Sequence, residues 1–376
     1  MRSISRPATR SRSPPMESAA MSDALPFLLP ERAPVTLLRQ QDARVLREVQ
    51  RERSQPLCGY EDRFSDIVDY IVRITDEIWM ERAVGYIYDT YDASCTIYSS
   101  YGIVRSVEEV VASTVATLNA YPDGEIHHLA VAWSGDEKEG FYTSHLGHSR
   151  STNVGRTPWG PGTGRRTSIR FAADCISREN RIHTEWLVRD NGAAVRQLGY
   201  DPHAIARTVA ENGTAETFVV SPPTRLDGQA PRGRLDLDEC TVDGWARALF
   251  HDVWNLRRLD WLPRAYAEDV VAHAGGGRTA QGLRNYQALI LHVLAAIPDG
   301  MMRVEHVSWS EEADGVIVAV RWVLEGRSAP GGVLGECPAG QPVFMMGMSH
   351  LRLAEGRIVE EWMLFDEIGV LAQAYR

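Results

Sequence analysis

Five histidines cluster in the first half of the chain: His127, His128, His145, His148 and His183. Histidine is the side chain whose ordinary pKa lies nearest neutral pH, so such a cluster invites either proton transfer or metal binding. The spacing argues against a metal. His127 and His128 are neighbours on a strand-like run and point to opposite faces, and His145 and His148 also differ in parity. No H-E-x-x-H or comparable ligand spacing occurs, so neither metal nor cofactor is expected. His145 is suited to a proton shuttle beside Asp190, and equally to a role as a satisfied, hydrogen-bonded core residue. Under the internal repeat described below its expected counterpart is Arg321. That arginine sits among apolar residues of a strand, where a lone charge is costly unless paired. It could bind the carbonyl or carboxylate of a ligand, or form an ion pair with Asp366 or Glu361.

Other sources of chemistry are missing. No Ser-His-Asp order, Gly-x-Ser-x-Gly elbow or dinucleotide fingerprint is present. The Arg- and Gly-rich run 147–168 lacks the Gly-x-x-x-x-Gly-Lys-Ser/Thr pattern of a phosphate loop. It could receive an anion over a pocket mouth, or be a long surface connection.

The chain has 376 residues, 44% hydrophobic and 24% charged, with 40 basic and 50 acidic side chains giving a net charge of −10. That balance argues against a nucleic acid or an anionic membrane as partner, and no apolar run approaches a membrane span. The five cysteines (Cys58, Cys95, Cys175, Cys240, Cys337) are odd in number and contain no C-x-x-C, which fits a reducing, cytoplasmic location. Residues 1–15 carry four arginines, no acid and three prolines, and read as a disordered tail or an over-extended start upstream of Met16 or Met21.

Two segments read alike: Arg181-Ile182-His183-Thr184-Glu185-Trp186-Leu187-Val188-Arg189-Asp190 and Arg357-Ile358-Val359-Glu360-Glu361-Trp362-Met363-Leu364-Phe365-Asp366, offset by 176 residues. The same offset carries Ala120, Pro122, Asp123 and Gly124 onto Ala296, Pro298, Asp299 and Gly300, and Val131, Trp133 and Ser134 onto Val307, Trp309 and Ser310. The chain therefore reads as one domain present twice. Helical periodicity over 65–89 and 244–266 is followed in each half by a turn and a second helix, 107–118 and 283–297. Alternating strand-like runs then cover 126–134, 140–147, 167–177 and 181–190, and in the second half 301–310, 315–324, 343–353 and 357–366. Helices followed by a meander predict an α+β fold of two tandem cones, each a curved antiparallel sheet wrapped around N-terminal helices. The expected organisation is a tail and extra helix (1–60, with the helix over 36–53), a first domain (61–200), a linker (201–239) and a second domain (240–376).

Both halves resemble the SnoaL-like, polyketide cyclase-like branch of the nuclear transport factor 2-like superfamily. In the second half the matching pattern is Gly326, Gly335, Pro338, Gly340, Phe344, then Arg357-Ile358-Val359-Glu360-Glu361-Trp362 with Asp366 and Gln373. In the first it is Pro161-Gly162-Thr163-Gly164-Arg165-Arg166, then Arg181-Ile182, Glu185-Trp186, Asp190 and Arg196-Gln197-Leu198-Gly199. The resemblance implies an aspartate at the end of the last strand that moves protons during an aldol closure without a cofactor, a role that would fall on Asp366 and Asp190. A carboxyl in an apolar cavity has its pKa raised towards neutrality, as ketosteroid isomerase in the same superfamily illustrates. Capping of the turns 367–372 and 191–197 is the competing role. Of the aromatic residues, Trp362, Trp186, Trp322, Tyr142 and Tyr98 are expected to line pockets, with Arg321. The implied function is cyclisation or isomerisation of a hydrophobic carbonyl compound. The alternatives are a non-catalytic binding or scaffolding protein, with interiors closed by Trp322, Met345 or Phe365, and an epoxide-hydrolase-like hydrolase. Single domains of this superfamily pair sheet to sheet, so the two halves are expected to form an intrachain pseudo-dimer, or the chain a homodimer.

Overall fold

The computed structural model describes residues 25–38, 51–213 and 233–376. The expected N-terminal tail and most of the helix expected over 36–53 lie outside those residues.

Helix α1 (Ile67–Trp79) forms where apolar residues recur at helical spacing, and Asp66 caps it by accepting from the Val68 and Asp69 amides. After a helical turn, strands β1 (Tyr91–Ser99) and β2 (Gly102–Val104) lead into helix α2 (Val107–Ala120), whose N-cap is Ser106. Strands β3 (Glu125–Asp136), β4 (Gly140–Thr152), β5 (Arg166–Arg178) and β6 (Arg181–Arg189) then form a meander that ends in helix α3 (Asn191–Leu198). Helix α4 (Pro202–Asn212) connects the halves. The second half repeats the order: α5 (Val242–Phe250), β7 (Tyr266–Ala274), β8 (Arg278–Gln281), α6 (Leu283–Ala296), β9 (Met301–Glu312), β10 (Gly315–Arg327), β11 (Pro342–Ala354), β12 (Arg357–Phe365) and α7 (Glu367–Ala374).

The twelve strands run in the order β2-β1-β6-β5-β4-β3-β9-β10-β11-β12-β7-β8. Neighbours are antiparallel except β1 on β6 and β7 on β12, which are parallel. The sheet of each half curls around its own helices, giving two cones. Two elements differ from the sequence expectation. The turn expected before the second helix of each half is in fact a two-stranded arm, because β1 and β7 take their pairing from a strand nearly a hundred residues away rather than from an alternating pattern of their own. The stretch expected to be linker begins with α4, whose N-cap Asp201 and first-turn Pro202 are strong helix-start signals.

The repeat is also not uniform in register. Strands β3 and β9 keep the 176-residue offset, but the turn before β10 is one residue shorter than the turn before β4, so β4 and β10 are offset by 175. A one-residue slip exchanges the two faces of a strand. His145 therefore corresponds to Val320, and Arg321 to Leu146. His145 points into the first cone, whereas Arg321 points out of the second.

The outer faces of the two sheets pack on each other. Ala130, Ala132, Leu146, Ala172 and Val188 of the first half form one buried cluster with Ile317, Ala319, Val323, Phe344, Met346, Met348, Trp362 and Leu364 of the second. Small residues on one side and large ones on the other bring the sheets close. Where the two sheets join, the repeat-equivalent Trp133 and Trp309 form the bridge between β3 and β9, each side chain packing in the core of its own half. Arg32, from the segment ahead of the first half, lies over both indoles, 4.1 and 3.4 Å from their centroids, and donates to both of their backbone carbonyls. Two charge-assisted hydrogen bonds and two cation–π contacts make this an anchor of the seam. Arg32→Ala is expected to destabilise the fold by about 3 kcal/mol, read as a lower urea midpoint at unchanged slope.

Candidate functional site

The aspartates Asp190 and Asp366 end β6 and β12, and each caps the helix that follows. Asp190 accepts from the Ala193 amide at 3.0 Å, and also from the Gly276 and Gly277 amides of the β7–β8 turn at 2.6 and 2.9 Å. Asp366 accepts from the Ile368 and Gly369 amides, and from Asn191 Nδ2 at 2.6 Å. Each carboxyl is thus tied to its own helix and to the opposite half. The next residue, Glu367, is buried and paired with Arg196 of the first half and with Arg278. Burial raises the pKa of both aspartates. That of Asp366 reaches about 7, against the opposing pull of its Asn191, Gly369 and Ile368 donors. The cavity beside Asp366, walled by Ser100, Phe344, Met346, Val370 and Gln373, measures about 10 Å³. That is water-sized, so in this conformation the carboxyl faces no substrate-sized space.

Most of the residues expected to line pockets lie in the seam. Trp186, Trp362 and Tyr98 face it on the outer side of their strands, and Tyr98 stacks on Trp186 at 5.5 Å. Arg321 lies 3.4 Å above the Trp186 ring and 3.4 Å from Glu305, an ion pair with a partner other than Asp366 or Glu361. Tyr142 donates to the buried Asp174 and stacks on His306 of the second half at 3.5 Å. Trp322 alone of this group points into a cone. These side chains connect the halves rather than lining a cavity.

The two cone interiors differ. The second is solid: Trp322, Met345, Met363, Phe365, Ile290, Val293 and Ile297 are fully buried in one cluster. Within it Glu361 accepts from Tyr266, Tyr286 and Ser349, and Trp322 Nε1 donates to Ser349. In the first cone the positions equivalent to Ile290, Val293, Ile297, Met363 and Phe365 are Thr114, Thr117, Tyr121, Leu187 and Arg189, and all of these but Thr114 retain partial exposure. A reciprocal exchange marks the difference. Trp322 fills the space over Gly347 in the second cone, while in the first Phe171 lies over Gly147, with glycine and aromatic on swapped strands.

Inside the first cone a buried chain of titratable groups runs from helix to sheet. His128 Nε2 meets Asp76 Oδ1 of α1 at 3.0 Å, and His128 Nδ1 meets His145 Nε2 at 2.9 Å. With the carboxylate accepting, His128 carries its proton on Nε2 and takes a hydrogen bond from His145 Nε2–H. Burial pushes the His145 pKa well below its ordinary value, and His128 and His350 push the same way. A bulge at Leu129 turns His128 inward, which strand alternation counted from the sequence does not reveal. Nearby, Tyr91 donates to Glu185 at 3.0 Å, matching the Tyr266–Glu361 pair of the other cone. Arg189 lies over Trp79 at 6.0 Å. Of these groups the sequence singled out His145; Asp76 and Arg189 were missed. The readable signal for Arg189 was its alignment with Phe365. Among the described residues no cluster of His, Cys, Asp and Glu has metal-holding geometry.

A family model described as SnoaL-like polyketide cyclase matches residues 245–374. It spans the second half alone. No curated protein matches the chain. Similar solved structures include a SnoaL-like polyketide cyclase from Agrobacterium tumefaciens str. C58 (17% identity, TM-score 0.30, covering 35% of this chain and 97% of its own). Others are TsrD from Streptomyces laurentii (15%, 0.32, 36% and 97%) and IdmH from Streptomyces antibioticus (25%, 0.28, 35% and 95%). The second half is thus SnoaL-like by sequence, and the titratable interior belongs to the other half.

The raised Asp366 pKa sets a pH dependence. A carboxyl near 3.9 in the unfolded chain and about 7 in the folded one favours folding when protonated. Its contribution is complete below about pH 4 and lost as pH rises through about 7, a change of about 4 kcal/mol. Asp366→Asn is expected to remove this part of the stability–pH profile, so that wild type loses ground to the variant between pH 4 and 8 in urea titrations.

Proposed function

We propose that the protein is a cofactor-independent proton-transfer enzyme of SnoaL-like type, in which the first half, a diverged copy of the same domain, holds the small molecule and the second half is its structural partner. The observation that carries this reading is the contrast between a second cone packed solid and a first cone containing the Asp76–His128–His145 chain. The substrate class is a hydrophobic carbonyl compound. His145 takes a proton from the carbon next to the carbonyl and passes its Nε2 proton to His128. The positive charge then rests on His128 beside Asp76 rather than on His145, whose own pKa burial depresses. Return of the proton to a different carbon gives isomerisation. Attack of the enolate carbon on a second carbonyl, with the proton returned to the new alkoxide, gives aldol closure.

Asp366 is the competing acid–base candidate under the same family resemblance, and its use would require the seam to open beyond its water-sized cavity. A non-catalytic binding role is the second reading, favoured by the capping positions of both aspartates.

Hydrogen exchange into 1-tetralone and 2-tetralone in D2O, followed by NMR, tests the reading. Wild type is expected to accelerate exchange, and His145→Gln to lose at least about 100-fold, with Asp366→Asn retaining the activity. Loss in Asp366→Asn with retention in His145→Gln would move the chemistry to the seam. Binding without exchange by the wild type would leave the non-catalytic role.

A further inference from the structure

Arg189, partly exposed on the inner side of β6 in the first cone, is a charged group that the proton chain does not use. Arg189 follows the inward parity of Glu185 and Leu187 on β6, at the position occupied by the fully buried Phe365 in the other half. It makes no hydrogen bond or ion pair with any described residue. Its guanidinium lies over the Trp79 ring, 6.0 Å from the ring centroid. Burial lowers its pKa, and Glu185, Tyr91, Asp366 and Tyr121 only partly offset this. Glu185, the nearest acid, is itself pushed up by burial and engaged by the Tyr91 hydroxyl. The side chain nevertheless keeps partial solvent access, as do Trp79, Tyr121, Phe171 and Leu187 around it. A solvent-reached cation on the inner side of a cone, without a hydrogen-bond or ion-pair partner, is a binding group in waiting, because a guanidinium offers a fork of donors matched to a carboxylate.

The geometry points to Arg189 as the anchor for a carboxylate on an apolar ligand, held in the first cone with its apolar body against Trp79, Phe171 and Leu187. This rests on the reading of the first cone as the ligand-holding half and adds the chemical class of the ligand. The carboxylate takes two parallel N–H···O bonds from the guanidinium. The ring face of Trp79 flanks the pair, and the reacting part of the ligand extends towards His145.

Calorimetric titration of the full chain with 2-naphthoate and its methyl ester tests this. Wild type is expected to bind 2-naphthoate at one site and at least tenfold more tightly than the ester. Arg189→Met should weaken 2-naphthoate at least tenfold while leaving the ester unchanged, Arg189→Lys should recover part of the loss, and Arg105→Met, which removes an exposed arginine, should have no effect. Because Arg189→Met removes a partly desolvated charge that has no ion-pair partner, its Tm is expected to equal or exceed that of wild type. Equal binding of acid and ester, wild-type affinity in Arg189→Met, absence of any 2-naphthoate binding, or a sharp fall in the Tm of Arg189→Met would each overturn the assignment. Carboxylate binding with no tetralone exchange would leave Arg189 as the anchor and discard the proton-transfer reading. Exchange without carboxylate preference would discard only the anchor.

Discussion

Face-to-face packing of the two sheets is the constraint on which the rest of the molecule depends. A strand has two faces, and a curved sheet wrapped around helices buries only the inner one. The outer faces here carry Phe344, Met346, Met348, Trp362 and Leu364 on one side and alanines on the other, and none could remain in water at low cost. Pairing the halves through Trp133 and Trp309 satisfies both faces at once, with Arg32 joining the two backbones where the sheets join.

That packing also sets the task of the most prominent sequence features. The Glu-Trp-x-x-x-Asp run divides by parity. The glutamate enters the cone and binds a tyrosine from the neighbouring parallel strand, while the tryptophan enters the seam. The aspartate, at the strand end, has helix amides on one side and the opposite half on the other. Asp190 held by the Gly276–Gly277 turn and Asp366 held by Asn191 are related contacts made in opposite directions. The two halves thereby lock one another's last helices, and Glu367 with Arg196 adds a charged link. A carboxylate embedded in such donors keeps its hydrogen bonds whether it is read as a cap or as a base, which is why residue type alone did not separate the two roles.

The two halves have different interiors. The second carries large apolar residues at most of its lining positions, beside the Glu361 network and the buried His251–Asn255 pair, and its cluster is continuous from helix to sheet. The other keeps threonines, histidines and an arginine at the matching places. The cost of burying such groups without full pairing is substantial, and a fold tolerates it where another half supplies the stability. The division between a solid half and a polar half is the physical basis for placing ligand chemistry in the first cone.

Periodicity and punctuation local along the chain were enough to read the α+β class, the similar order of the two halves, the second helix of each half and the strands of each meander. The arms β1–β2 and β7–β8 were not legible, because their pairing partners lie far along the chain. Nor was the face to which each functional side chain points. A turn shorter by one residue separated His145 from Arg321, a bulge at Leu129 turned His128 inward, and the parity of Trp186 and Trp362 acquired meaning only once the outer sheet faces were seen to be covered. Strand direction is local information, but inside and outside are decided by what packs on each face. The tertiary structure alone therefore assigned the aspartates to the seam and gathered Asp76, His128, His145 and Arg189 within the first half.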